Sequence, residues 1–386
     1  MNILNCQKDL FSLPYEEAYI NCAYQGPMLK TVEEAGVKEL LKRRFPIDIQ
    51  KDDFFAPAQE VKELFSTLIG NSDPARVALI PSASYGLAVA AANIDMSTRK
   101  NIVVAAEQFP SNFYCWDRLA KENDGQVVTV GATDENNRGK SWNEAILAAI
   151  DENTAVIAMA NVHWADGTKF DLVAIGEKAR ACGAKLVIDG TQSVGALPFN
   201  VEDVKPDALV CAGYKWLLGP YGIGLAYYSD TFDTGRPIEE NWINRKDSDQ
   251  FENLVNYEDQ YQEKAGRYNA GEHSNFIYLA MMAKAISQLN DWTPESIQEY
   301  CRALTAPAIK ELEALGCSVE DQAYRASHLF GVRLPEGSDT IQVKEALGRM
   351  KVYVSIRGNA VRIAPHMYND KSHFDMLVSA LKEVLA

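Results

Sequence analysis

The sequence predicts an α/β protein: a mostly parallel sheet of about seven strands with helices on both faces, followed by a smaller α+β C-terminal domain. Three observations carry this. Short apolar runs alternate with helical patterns across residues 77–228, the pattern of a parallel sheet covered on both sides. The 386 residues, 47% of them hydrophobic, suffice for one large domain and a smaller one. Acids, amines and small polar residues follow the apolar runs, and such sheets bind ligands at their C-terminal strand ends.

Residues 1–30 read as an irregular arm, with Asn21, Gly26, Pro27 and Met28 as turn signals. Residues 31–45 read as an amphipathic helix capped by Thr31, and 54–68 as a second helix. Residues 77–80 form a strand, followed by Pro81-Ser82-Ala83-Ser84-Tyr85-Gly86 and a small-residue helix at 87–93. Strands at 102–106, 127–130 and 155–160 enclose a helix at 142–150; a helix at 172–182 follows. Leu186, Val187 and Ile188 make a strand ending in Asp189; residues 209–212 and 222–228 make two more. Residues 229–270 are polar and turn-rich, either a solvated loop or a loop that closes the site with Trp242 and Arg245. Helices at 276–289 and 294–315, strands at 328–334 and 352–356, and a helix at 373–385 complete the chain. The expected division is an arm at 1–30 packing with the small domain, a large domain at 31–270 and a small domain at 271–386.

Composition excludes several classes. The net charge of −15 argues against nucleic acid or an anionic membrane as main partner. The seven scattered cysteines suit free thiols in a reducing compartment. The N-terminus lacks a basic start and an apolar core, so a cytoplasmic protein is expected. No apolar run approaches a membrane span of ~18 residues. Neither CxxC nor HExxH occurs and the histidines are dispersed, so no metal site is expected. Neither GxGxxG nor GxxxxGK[ST] occurs, which counts against a doubly wound nucleotide-binding protein.

The chemistry gathers between Ala184 and Gly224. Asp189 ends one buried strand and Lys215 follows the next, 26 residues later. Neighbouring strands can therefore present an acid and an amine at one sheet edge. Taken singly, an Asp at a strand end is often a turn former and a Lys a surface charge. Lys215, however, sits among Tyr214, Trp216, Leu217 and Leu218, where desolvation lowers an amine pKa toward what imine formation needs. An acid for a pyridine nitrogen and an imine-forming lysine are the protein side of pyridoxal phosphate (PLP) chemistry. The strand, small-residue loop and helix start at 77–87 offer a phosphate the backbone of Ala83 and Ser84 and the Ser84 hydroxyl. The plainer reading of that segment is a capped helix.

DGTQSVG at 189–195 and AGYKWLLGPYGIG at 212–224 resemble the class V aminotransferase family of fold type I PLP enzymes. That family includes cysteine desulfurases, selenocysteine lyases, kynureninase and isopenicillin N epimerase-like proteins. The resemblance covers most of the chain. It implies that Asp189 pairs with the pyridinium nitrogen, Gln192 bonds the ring hydroxyl and Lys215 carries the cofactor as an imine, with Tyr214 beside it. FPSN resembles the FPTD-type loop of kynureninase, making Phe109 the residue that stacks on the ring, worth ~1 kcal/mol; otherwise Phe109 is core. Trp164 stands where desulfurases have Asn and kynureninase an aromatic. His163 is either at the cofactor or a satisfied core histidine.

Residues 266–275 resemble the segment that reaches the neighbouring subunit's cofactor phosphate, here through Ser274, Asn275 or backbone, because Glu272 replaces the usual Thr. SIRGNAVRIAPHMYN at 355–369 resembles the RxSPHxYN segment, so Arg362 would hold a substrate α-carboxylate, with Ala364 in place of Ser. Arg357 is a second candidate, or else a strand-end arginine. A desulfurase needs a cysteine on a loop before the carboxylate arginine, and residues 318–386 contain none. The resemblance therefore implies an amino-acid-acting homodimer, an aminotransferase by family name, with lyase or epimerase as the alternative.

Overall fold

The computed structural model describes residues 4–14 and 16–385. Residues 1–3 and 15 of the expected arm, and residue 386, lie outside the described residues. The arm carries strand β1 (Ala18–Tyr19) and leads into α1 (Lys30–Lys42) and α2 (Ala56–Leu68). Then come β2 (Val77–Ile80), α3 (Ala83–Ala92), β3 (Asn101–Ala105), α4 (Tyr114–Glu122), β4 (Gln126–Val130), α5 (Arg138–Ala149), β5 (Thr154–Ala160) and α6 (Leu172–Cys182). They are followed by β6 (Lys185–Asp189), the short α7 (Val201–Val204), β7 (Ala208–Ala212) and β8 (Gly224–Tyr228).

These strands form the seven-stranded sheet that the alternation predicts, in the order β2-β8-β7-β6-β5-β3-β4. Every pairing is parallel except those of β8, which runs antiparallel to β2 and β7. Successive strand residues serve opposite faces. Ile157, Ile188 and Leu209 enter one apolar core, while their neighbours Ala158, Val187 and Val210 enter the other. Both faces are dry, which is why these strands read as continuous apolar runs rather than alternating ones.

The chain continues through α8 (Phe276–Trp292) and α9 (Pro294–Ala314) into β9 (Ser318–Val319), β10 (Phe330–Arg333), α10 (Thr340–Arg349), β11 (Val352–Tyr353), β12 (Ser355–Arg357), β13 (Ala360–Ile363) and α11 (Lys371–Leu385). A second sheet has the antiparallel order β12-β13-β10-β9. Ile20 of the arm shares the apolar core of this sheet with Phe330, Val332, Val361 and Ile363. Strand β1 also pairs in parallel with β11.

Several expectations from sequence are corrected. Helix α8, assigned from sequence to the small domain, packs against α1 and α2, because Leu279, Met282 and Ile286 complete the core beneath the large sheet. Helix α1 begins at Lys30, with Leu29 at its cap position and no side-chain cap. Buried Leu29 anchors that entry in place of Thr31. Helix α3 begins at Ala83, four residues earlier than its apolar pattern suggests, because Ser82 caps it by accepting from Tyr85 N at 3.2 Å. Among the described residues, no helix is long and apolar enough to cross a membrane.

Candidate active site

The early start of α3 puts a helix N-terminus at one end of the site. Ser82 lies just after β2, so the first-turn N–H groups of Ala83 and Ser84 have no intrahelical partner. The Ser82 and Ser84 hydroxyls lie 2.9 Å apart at this rim. Gly86 lets the helix lie close on the sheet, since a Cβ there would come within 2.8 Å of Ile80 and Val210.

Ala83 and Ser84 line a cavity of about 210 Å³, together with Asp189, Gln192, Tyr214 and Lys215. Phe109 and Trp164 close another side. Asp189 is the last residue of β6, and Lys215 lies in the turn after β7. These neighbouring strands run in parallel, so both residues emerge at the same sheet edge. Asp189 Oδ1 accepts from Thr191 N at 3.0 Å. Burial raises its carboxyl pKa, and the bonds from Thr191 only partly offset this. Burial also lowers the Lys215 amine to about 8, against the pull of Asp189. Among the described residues, Lys215 Nζ has no hydrogen-bond or ion-pair partner, and it lies 5.5 Å from the Phe109 ring centre and 5.6 Å from that of Tyr214.

The walls are held from behind. Gln192 donates Nε2 to Ala23 O at 3.2 Å and accepts at Oε1 from Trp216 Nε1 at 2.9 Å. Only one amide hydrogen of Gln192 remains for a ligand. Trp164 Nε1 donates to Glu107 O at 2.7 Å. Glu107 has φ +52°, a left-handed conformation costing on the order of 1–3 kcal/mol for a residue with a side chain. Its carbonyl also meets His163 Nε2 at 3.2 Å, while His163 Nδ1 meets Asp166 Oδ1 at 3.1 Å. His163 is thus a buried brace for the Phe109 and Trp164 loops and does not line the cavity.

Arg362 is buried, donating from Nη1 to Trp164 O at 2.8 Å and from Nη2 to Ser355 Oγ at 3.3 Å and Asn21 Oδ1 at 3.4 Å. Arg357 lies over the Trp164 ring, 5.4 Å from its centre. Neither arginine lines this cavity itself; both adjoin it through Trp164. Three further sequence candidates lie away from it. Asn275 caps α8, accepting from Tyr278 N at 3.1 Å. Trp242 packs in an aromatic cluster with Phe54 and Phe251, and Arg245 pairs with Glu240. Each finds its partners within its own neighbourhood.

Sequence reasoning missed Ser82, Gln108, Ser111, Thr191, Tyr221 and Gly222 as lining residues. The S-x-S pattern before α3 and the Thr beside Asp189 were the available signals for two of them. It also missed the arm's grip on the site. Gly26 N donates to Tyr214 O at 2.9 Å, and Cys22 N to Ala364 O at 3.1 Å.

The fold and site define a PLP-type transferase architecture, with acid, amine and helix N-terminus around one cavity. The chain belongs to the class V aminotransferase family, whose model matches residues 50–374. It is 27% identical to the uncharacterized aminotransferase YcbU of Bacillus subtilis, over 80% of this chain and 78% of that protein. It is 21% identical to isopenicillin N epimerase of Streptomyces clavuligerus, over 94% and 93%. Among solved structures, the apo cysteine desulfurase of Thermococcus onnurineus NA1 superposes with a TM-score of 0.83 at 21% identity, covering 100% of this chain and 99% of that one.

Pyridoxal phosphate is the cofactor, and the residues fit it. The helix N-terminus of α3 suits a phosphate, and the buried Asp189 carboxyl, which among the described residues has no ion-pair partner, suits a pyridinium N–H. Among the described residues the amine of Lys215 has no hydrogen-bond or ion-pair partner, and Phe109 offers a ring face.

Proposed function

We propose that this chain is a PLP-dependent enzyme acting on an amino acid, an aminotransferase of class V type. The observation that carries this is the buried Asp189 and Lys215 facing one cavity, with the amine lowered to about 8. PLP, when bound, supplies an electron-withdrawing ring that lets a bond at the substrate Cα break heterolytically. Lys215 is the amine that attaches the cofactor. Its lowered pKa would suit it to take the substrate Cα proton and hold it at Nζ for redelivery. Asp189 keeps the proton on the ring nitrogen. Ala83 and Ser84 hold the phosphate through backbone N–H groups, and Phe109 and Trp164 pack beside the ring.

Arg362 orients the substrate through its α-carboxylate, with Arg357 close by. The unit is a homodimer, in which Asn275 and its neighbours serve the partner's cavity. The support is resemblance in residues 266–275, together with the exposure of Asn275 on its own chain. The division into an arm, a large and a small domain is supported by the separation of the seven-stranded from the four-stranded sheet. A cytoplasmic setting is supported by seven cysteines, all free.

Lyase or epimerase chemistry is the second reading, favoured by similarity to isopenicillin N epimerase over 94% of the chain. A persulfide-forming reaction is disfavoured, because only Gly358 and Asn359 separate β12 from β13 and neither is a cysteine.

The test is an absorption spectrum of the wild type and Lys215→Ala with PLP, followed by addition of single amino acids. The wild type should show a visible band that is absent from the variant. Loss of that band with release of a keto acid supports amino transfer. Its loss with racemised or cleaved substrate supports the second reading. A wild type with no visible band after PLP addition overturns both.

A further inference from the structure

The hairpin of β12 and β13 holds two guanidinium groups where one would serve a single carboxylate. Ser355 pairs with Arg362, and Arg357 with Ala360. Directly paired residues share a face, and so do residues two apart on one strand. Arg357 and Arg362 therefore occupy the same face as diagonal neighbours. Both adjoin Trp164, one over its ring and one on its carbonyl, and Trp164 lines the cavity.

Neither group is neutralised. Among the described residues, no carboxylate lies in ion-pair range of Arg357 or Arg362, in a chain with 53 acids against 38 lysines and arginines. Both Nε atoms are buried without a hydrogen-bond partner. Burial and then the charge of Arg357 lower Arg362 to about 10. Both charges also act on Lys215. Asp189 is the one acid lining the cavity among the described residues, and the cofactor ring occupies it in the reading above. Arg362 is buried and Arg357 half-buried, and adjacent uncompensated cations shielded from water are costly without an anion. One carboxylate can balance one of them.

We propose that the substrate carries two anionic groups: an α-amino acid with a side-chain carboxylate, or the matching keto acid, held between Arg362 and Arg357. Arg362 takes the α-carboxylate and Arg357 the distal one, so Arg357 determines specificity. This rests on the PLP reading of the same site.

The test uses unreactive ligands. The PLP-loaded protein is titrated calorimetrically with succinate and with butyrate, which differ by one carboxylate. Succinate should bind ~100-fold more tightly, the order expected for a bidentate charged pair. In Arg357→Met the ratio of the two affinities should collapse toward one, and Arg357→Lys should restore part of it. The wild-type ratio stands even if a variant fails to fold. A wild type that takes up no cofactor overturns both readings. A cofactor-loaded wild type that binds butyrate as tightly as succinate overturns this one alone, as does an Arg357→Met protein that keeps the full preference.

Discussion

Gly26 lies directly against the main chain of Lys215: a Cβ at residue 26 would stand 2.2 Å from the Lys215 carbonyl oxygen. Such a contact cannot be relieved by a rotamer, because the obstacle is backbone. Gly26→Ala should lift the arm from the lysine turn, at a cost of about 1–3 kcal/mol, as overpacking does. Chemical denaturation of the apo protein measures the cost, and dialysis of the loaded protein should show faster cofactor loss. An unchanged midpoint and retention would show that the arm does not support the turn.

Lys215 should set the pH dependence of cofactor uptake. With the amine lowered to about 8, the neutral nucleophile falls ~tenfold for each pH unit below that value. The second-order rate of PLP binding should rise from pH 6 to about 8 and level off above. Asp189 raises the Lys215 pKa by its charge, so Asp189→Asn should move the plateau to lower pH. Stopped-flow absorbance at a series of pH values reads both.

Asp189→Asn should also separate binding from chemistry. The amide still packs beside Thr191, so cofactor retention should fall little. Without the carboxylate the ring nitrogen loses its proton, and single-turnover rates should drop on the order of 10²–10⁴-fold. A drop below tenfold would remove Asp189 from the mechanism.

Acid should destabilise the fold well above the usual carboxylate range. Burial holds His273 and His328 at about 4 and His366 at about 3, against 6.5 when unfolded. The unfolded chain therefore binds more protons between those values. The stability these groups contribute is full above pH 6.5 and is lost as pH falls toward 4, on the order of a few kcal/mol for each. His366 is the sharpest case, since both of its ring nitrogens are buried without partners among Trp216, Trp292 and Tyr368. His366→Phe should leave stability at pH 7.5 within about 1 kcal/mol and raise it at pH 5. Urea midpoints at the two pH values compare them.

The site was legible where chemistry sits beside an apolar run. Asp189 and Lys215 stand out because a charge following Ile188 or preceding Trp216 contradicts its surroundings. The sheet was legible for the same reason, in continuous runs such as those of β5 and β7. Less legible were contacts made by backbone. Ala23, Gly26 and Glu107 act through a carbonyl, a missing Cβ and a left-handed turn, and none of these has a side-chain signature. The start of α3 was misjudged because Ala83 and Ser84 carry no apolar period, while the cap that starts the helix is a single hydroxyl. Arg362 could be named from its segment, but the strand register alone puts Arg357 on the same face.

The contact of Asn21 with Arg362 joins residues 341 positions apart, and Ala364 N donates to Ile20 O at 3.1 Å. A nascent chain that has emerged only through β8 already has the strands of its large sheet, Lys215 and the N-terminus of α3. Its arm can reach Gln192 and the lysine turn through Ala23 and Gly26 but lacks β11 and β13, its partners on the other side. In the proposed reading, cofactor can be captured from that point, whereas the grip on substrate waits for β13 and Arg362. Truncation near the C-terminus should therefore yield a protein that binds cofactor and turns nothing over.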